Sequence, residues 1–302
     1  DKLLHAFAWA LIAGTMGDVD EATAARERGI ALARSAAEEP GLGIEFGAIS
    51  DQNFILATHL GWQAASLIEQ GELAQATPVA TESLERAQTQ GDPWGIADGY
   101  DLLGRLALLQ GDLAQAQRLF HKAVIHVTTC NLFHMQCAHQ PLLGIVTLYG
   151  GNASEARRLL TESLQLSLQL DERSFLAQTY IYLAEVALWE GAIDQAAQWL
   201  AQSLAEGAKS ARITFEKVQR VWVAARLATA QQQYPHAATL FGLAEQLHSQ
   251  IHHCIGGPMR ARADAALAMV QAALEPAAFA EAFAAGREMV LEGAFAVIRE
   301  TS

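Results

Sequence analysis

Small and bulky apolar residues return at the same places in five consecutive stretches of this chain. One small residue stands at Ala64, Gly104, Gly144, Ala184 and Ala225, and a second at Ala76, Ala116, Ala156, Ala196 and Ala237. Four positions further on comes Ala80, Phe120, Leu160, Leu200 or Phe241. A polar turn separates the two small residues: GELAQA (71–76), GDLAQA (111–116), GNASEA (151–156), GAIDQA (191–196) and the degenerate QYPHAA (233–238). GDVDEA (17–22) is an earlier copy, and the later turns are spaced 40, 40, 40 and about 41 residues apart. Gly71, Gly111, Gly151 and Gly191 suit the left-handed conformation that ends a helix. Asp18, Asp112 and Asn152 then suit the N-cap of the next helix, with Glu21, Gln115 and Glu155 three residues on as a capping box requires. Each unit is therefore predicted to be helix, tight turn, helix. The small residues mark where helices approach closely, and the bulky ones plug the layer below.

This pattern resembles the tetratricopeptide repeat, most fully in GYDLLGRLALLQGDLAQAQRLFHKA (99–123). The period is 40 rather than the usual 34, so each helix should run about a turn longer. The expected fold is all-α: a right-handed superhelical solenoid of about six hairpins over residues 1–255. A helical cap over residues 256–302 would cover the apolar face that a solenoid exposes at its last repeat. The interval from Gly17 to Gly71 exceeds one period by about 14 residues, which places an insertion at about 38–52, in EEPGLGIEFGAISDQ. It reads either as a long surface loop or as a lid over the binding groove.

Charge and composition narrow the function. Net charge is −13 and only four lysines occur, Lys2, Lys122, Lys209 and Lys217, so direct nucleic-acid binding is not expected. Three cysteines without paired spacing fit a reducing cytoplasm rather than a disulfide framework. No apolar run approaches the roughly 20 residues of a membrane span. The chain begins at Asp1 and leads directly into DKLLHAFAWALIAG, which has no signal-peptide layout and reads as a fragment cut from a longer protein.

The C-terminal segment resembles the end of the large bacterial signal-transduction ATPases called STAND regulators, many of which carry LuxR-type or related DNA-binding domains. The residues that carry the resemblance are Ala238, Leu240, Gly242, Ala244 and Glu245, then Pro258 and Arg262, then Phe279, Phe283, Gly286, Arg287, Met289, Leu291, Glu292 and Ala294. Phe279, Phe283, Met289 and Phe295 are expected to pack as the cover of the last repeat. The resemblance implies a sensor arm that receives an inducer or partner and biases an ATPase switch between closed and oligomerising forms. No phosphate-binding loop or helix-turn-helix signature is present, so the parent's ATPase core and output module are expected N-terminal to Asp1.

In the repeat frame the first helix of each unit lines the groove. It would contribute Asp98, Asp101, Arg105, Tyr149, Gln178, Ile181, Glu185, Trp189, Trp222 and Arg226. Such a set suits a polar small molecule or a peptide with charged ends, because the arginine fork binds carboxylates and phosphates. Alternatively these residues solvate the face and pair with one another. Trp94 is expected to pack between repeats. His126, Cys130, His134 and Cys137, with His139 beyond, would form a zinc-binding stripe only on one unbroken helix, and the frame breaks the helix near Thr128–Asn131. The run His248, His252, His253 and Cys254 has the same weakness. No metal or other cofactor is expected, and no catalytic motif points to an enzyme. The expected function is non-catalytic inducer sensing, with a small molecule near Asp101, Arg105, Glu185, Trp222 and Arg226. The alternative is a docking scaffold for a peptide, a protein or the parent's own ATPase core.

Overall fold

The computed structural model describes residues 5–6, 8–9, 12, 19–36, 52–207, 215–250 and 257–289. Thirteen helices lie among them: α1 (Val19–Ala36), α2 (Gln52–Glu69), α3 (Leu73–Gln90), α4 (Pro93–Leu109), α5 (Leu113–Thr129), α6 (Phe133–Tyr149), α7 (Ala153–Gln169), α8 (Leu176–Trp189), α9 (Ile193–Gly207), α10 (Phe215–Ala230), α11 (Tyr234–Ser249), α12 (Gly257–Ala273) and α13 (Pro276–Arg287). They pack as sequential antiparallel hairpins, consistent with an array of TPR-like repeats. The chain divides into two compact units, Asp1–Ala107 with Gln115–Leu132, and Leu108–Ala114 with Phe133–Ser302. The insertion at 38–52, apart from Gln52, lies outside the described residues, as do Asp18, His252, His253, Cys254 and Phe295. None of the described helices is long and apolar enough to cross a membrane.

The turns recur twice as often as the sequence motif. Left-handed residues fall at Gly71, Gly91, Gly111, Asn131, Gly151, Asp171 and Gly191, one every twenty residues, and again at Gln232. At most of them the backbone closes the same way. The left-handed residue donates to the carbonyl three back, and its successor donates to the carbonyl five back. Examples are Gly71 N to Ile68 O at 3.1 Å with Glu72 N to Leu67 O at 2.9 Å, and Gln232 N to Thr229 O at 3.0 Å with Gln233 N to Ala228 O at 2.9 Å.

This geometry corrects the capping-box expectation. Asn152 does cap α7, its side chain accepting from Glu155 N at 3.2 Å. Its own N–H is already spent on Thr147 O, 3.1 Å away, closing α6. Glu155 therefore has no donor to reach back for, and its carboxylate takes Arg158 at 2.6 Å instead. Gln232 is the costly turn residue, since a side chain in the left-handed region costs about 1–2 kcal/mol. Gln232→Gly is expected to raise the unfolding free energy by about 0.5–1 kcal/mol after the added backbone entropy of glycine. Urea titration should show a higher midpoint with an unchanged slope.

The small positions do what their size allows. A Cβ on Gly104 would lie 2.8 Å from the Phe120 ring, and one on Gly144 would lie 2.7 Å from Leu160. In those two hairpins the bulky residue of the second helix thus fills the notch left by the first. Ala76, Ala116, Ala156, Ala196 and Ala237 are all fully buried. Ser83 and Ser203 occupy equivalent positions and donate to first-helix carbonyls, Ala57 O at 2.8 Å and Ala177 O at 2.7 Å. Trp94 departs from expectation. It is 55% exposed in the first turn of α4, where Asp92 accepts from its backbone N–H at 3.1 Å.

In the first unit, α1 and α2 pack around Ile30, Ala33, Ile55, Leu56 and Leu60, with Val79 of α3 at the edge. His59 sits in this core against bare backbone: a Cβ on Gly29 would lie 2.1 Å from its ring. Its Nε2 donates to Ala6 O at 2.7 Å, while Nδ1 is buried without a hydrogen-bond partner among the described residues. Burial, reinforced by the charge of Arg26 and opposed by the Ala6 bond, lowers its pKa below the ordinary histidine value. The folded state thus holds His59 neutral and binds fewer protons than the unfolded state. Its contribution to stability is complete above about pH 7 and is lost as pH falls from about 6.5 toward the folded value. His59→Gln, which keeps a donor but does not titrate, is expected to flatten the fall in unfolding midpoint between about pH 7 and 5.

In the second unit, α6, α8, α10 and α12 form a row of successive neighbours, while α7, α9 and α11 pair with α6, α8 and α10. The final pair differs. α13 packs chiefly on α11 and touches α12 little. Phe279 and Phe283 are half-buried, with ring centroids 5.4 Å apart.

Candidate binding site

Because first helices of successive repeats in the second unit are neighbours, residues at equivalent positions there come together. Glu185 of α8 and Arg226 of α10 are 41 positions apart and form a charge-assisted hydrogen bond. Tyr149 and Trp189 are likewise equivalent, at the ends of α6 and α8. The next helix of the row, α12, is anchored on α10 by Gln219 Nε2 to Met259 Sδ at 3.6 Å. One turn later it presents Arg262, whose Nη1 lies 3.5 Å from Glu185 Oε2. The Arg262 guanidinium also stacks on Trp189, 4.3 Å from the ring centroid, a cation–π contact.

One carboxylate therefore serves two guanidinium groups. The Glu185 side chain is 2% exposed, Arg226 9% and Arg262 21%. Burial lowers the Arg262 pKa, and the Glu185 charge opposes that shift. Burial raises the Tyr149 phenol well above its ordinary value, as do the charges of Glu185 and Tyr182, against the smaller pull of Arg226 and Arg262. Tyr149 is thus a protonated hydrogen-bond donor. Tyr149 OH, Glu185 Oε2 and Arg262 Nη1 are all buried; Glu185 Oε2 and Arg262 Nη1 have only the 3.5 Å ion pair with each other, and Tyr149 OH has no hydrogen-bond partner among the described residues. A buried hydroxyl left without a partner costs roughly 1–3 kcal/mol, an expensive feature beside a long ion pair for a purely structural cluster.

The expected site residues divide between the two units. Asp98, Asp101 and Arg105 belong to the first. There Asp101, almost buried, accepts from Arg105 Nε at 2.6 Å, and Asp98 is exposed. Tyr149, Gln178, Ile181, Glu185, Trp189, Trp222 and Arg226 belong to the second. Gln178, half-buried, donates to Tyr182 OH at 2.9 Å. Ile181 is fully buried in α8, which is covered on nearly every side, so its side chain is core. Trp222 is 5% exposed and packs its ring against His248, centroids 5.8 Å apart. Arg262 is the residue that the repeat frame missed. Its only signal was its place in the C-terminal resemblance.

The histidine–cysteine run is divided by a turn, as expected. α5 ends at Thr129 and α6 starts at Phe133. His126 Nε2 and Cys130 Sγ are 3.9 Å apart on one side of it. Beyond it, His134 faces Glu172 at 3.5 Å, and Cys137 Sγ donates to Phe133 O. Among the described residues, no three His, Cys, Asp or Glu side chains are grouped to hold a metal ion.

No family model matches the chain, and no curated protein matches it. Among solved structures it is similar to the crystal structure of BtubC (BKLC) from P. vanneervenii, with a TM-score of 0.53 and 18% identity over 78% of this chain and 92% of that one. At that identity the likeness speaks to fold alone: the chain is a TPR-like helical-repeat scaffold, structurally similar to BtubC.

Proposed function

We propose that this chain is a non-catalytic recognition module, the sensor arm of a multidomain STAND-type regulator, and that its ligand site is the Tyr149–Glu185–Trp189–Arg226–Arg262 cluster. The observation that carries this reading is the buried Tyr149 hydroxyl on α6, without a hydrogen-bond partner among the described residues, beside the long 3.5 Å ion pair of Arg262 on α12 with Glu185 on α8. A ligand that satisfies them binds the folded state alone and offsets their desolvation. The sequence resemblance supports the sensor role. A ligand spanning α8, α10 and α12 would bias the C-terminal helices, and so favour one state of an attached switch.

Thermal unfolding against sugars, nucleotides, amino acids, short peptides and zinc tests the reading. A ligand at 100 times its dissociation constant stabilises by about 2.7 kcal/mol. We expect a hit that is lost in Arg226→Met and kept in Asp101→Asn. A hit lost only in Asp101→Asn would move the site to the other unit. No hit at all would overturn small-molecule sensing in favour of a protein partner.

A further inference from the structure

Resting on the recognition reading above, we propose that the cluster takes a monoanion, a small organic carboxylate, gripped by Arg262 and Tyr149 beside Arg226. Charge selects this class. Two guanidinium groups face one carboxylate, and the phenol is neutral, so the cluster carries one formal positive charge in a place where Glu185 is 1% exposed. Glu190, the next acid along the chain just past the end of α8, is engaged by Arg157. A buried uncompensated charge is unfavourable. One added carboxylate brings the cluster to neutrality, whereas a dianion such as a phosphate ester overshoots it.

Donor geometry agrees. Tyr149 OH has a proton to give and no hydrogen-bond acceptor among the described residues, and Arg262 Nη1 is held only by its long 3.5 Å ion pair with Glu185 Oε2. A carboxylate has two oxygens, one for each. Arg262 at 21% side-chain exposure and Trp189 at 42% form the open edge, and the indole offers apolar surface for the body of the ligand. Glu185 then acts as the counter-ion that keeps both arginines aligned when no ligand is bound. The C-terminal helix α12 supplies a binding residue, so the site is complete only with that helix in place.

The test measures unfolding midpoints at pH 7 in sodium acetate and sodium benzoate against sodium chloride at equal ionic strength, with sodium sulfate as the dianion. The proteins are wild type, Arg262→Met, Tyr149→Phe and the surface control Arg158→Met. Tyr149→Phe removes a hydroxyl that has no hydrogen bond, so it is expected to fold even if Arg262→Met does not. The expected result is a carboxylate-specific rise in midpoint of several degrees in wild type and control, reduced in Tyr149→Phe and lost in Arg262→Met. Equal shifts in all four proteins, no shift in wild type, or a larger Arg262-dependent shift with sulfate would each overturn it. A neutral hit from the broader panel, lost in Arg226→Met but without any carboxylate effect, would sink the anion and leave the recognition reading standing.

Discussion

Gly286→Ala is expected to destabilise the chain by at least about 3 kcal/mol, the upper end of the usual cost of overpacking a well-filled site. The added Cβ would lie 1.9 Å from Thr239 O and 2.9 Å from Leu243 N, both main-chain atoms of α11. Across the same crossing, a Cβ on Gly242 would lie 2.1 Å from Phe283 O. Backbone cannot rotate away as a side chain does, so the helices must separate. Gly286 is the only buried residue of the described α13, and the half-buried Phe279 and Phe283 cannot hold that helix once the crossing opens. Urea titration should show the loss. The double variant Gly242→Ala/Gly286→Ala should cost clearly less than the sum of the singles, because either methyl alone already parts the helices.

Glu185→Gln is expected to cost about 3–5 kcal/mol, the penalty for removing one partner of a buried ion pair. Here it leaves two guanidinium groups, 9% and 21% exposed, without a counter-charge. Arg226→Met should cost clearly less, because Glu185 keeps Arg262 3.5 Å away. Replacing all three groups, as Glu185→Leu/Arg226→Met/Arg262→Met, should recover most of the loss, since apolar groups of similar volume often match or exceed a buried charge network in stability. Chemical unfolding of the three proteins checks this order. A triple variant that folds well but no longer responds to ligand would separate recognition from stability at this cluster.

The hairpin architecture was legible in the sequence because glycine marks a left-handed turn almost unambiguously. Gly71, Gly111, Gly151 and Gly191 carry that signal. Of the alternate turns only the break near Thr128–Asn131 was read, and no period was seen in them, since two of their three markers are Asn131 and Asp171. Those residue types adopt the left-handed region but also serve as caps and loop residues, so they announce no period. The pairing of Glu185 with Arg226 follows from equivalent positions in adjacent repeats, and both were named. Facing is harder to read. α8 is buried from Leu176 to Ala187 except at the half-buried Gln178, so no polar stripe shows that Ile181 points into the core. Arg262 was missed because α12 carries no repeat turn to set its register. The capping box at Asn152 and Glu155 failed for a physical reason: in so short a turn, one N–H cannot close the preceding helix and also complete the box of the next.

Hydrogen exchange of the chain, free and saturated with a hit from the thermal panel, tests the central claim most directly, because it reports which helices a ligand protects. The account predicts slowed exchange near Tyr149 in α6, across α8 and α10, and in α12 around Arg262, with α2 and α3 unchanged. Protection confined to α2–α4, or spread evenly over every hairpin, would contradict a ligand site at the Glu185–Arg226–Arg262 cluster.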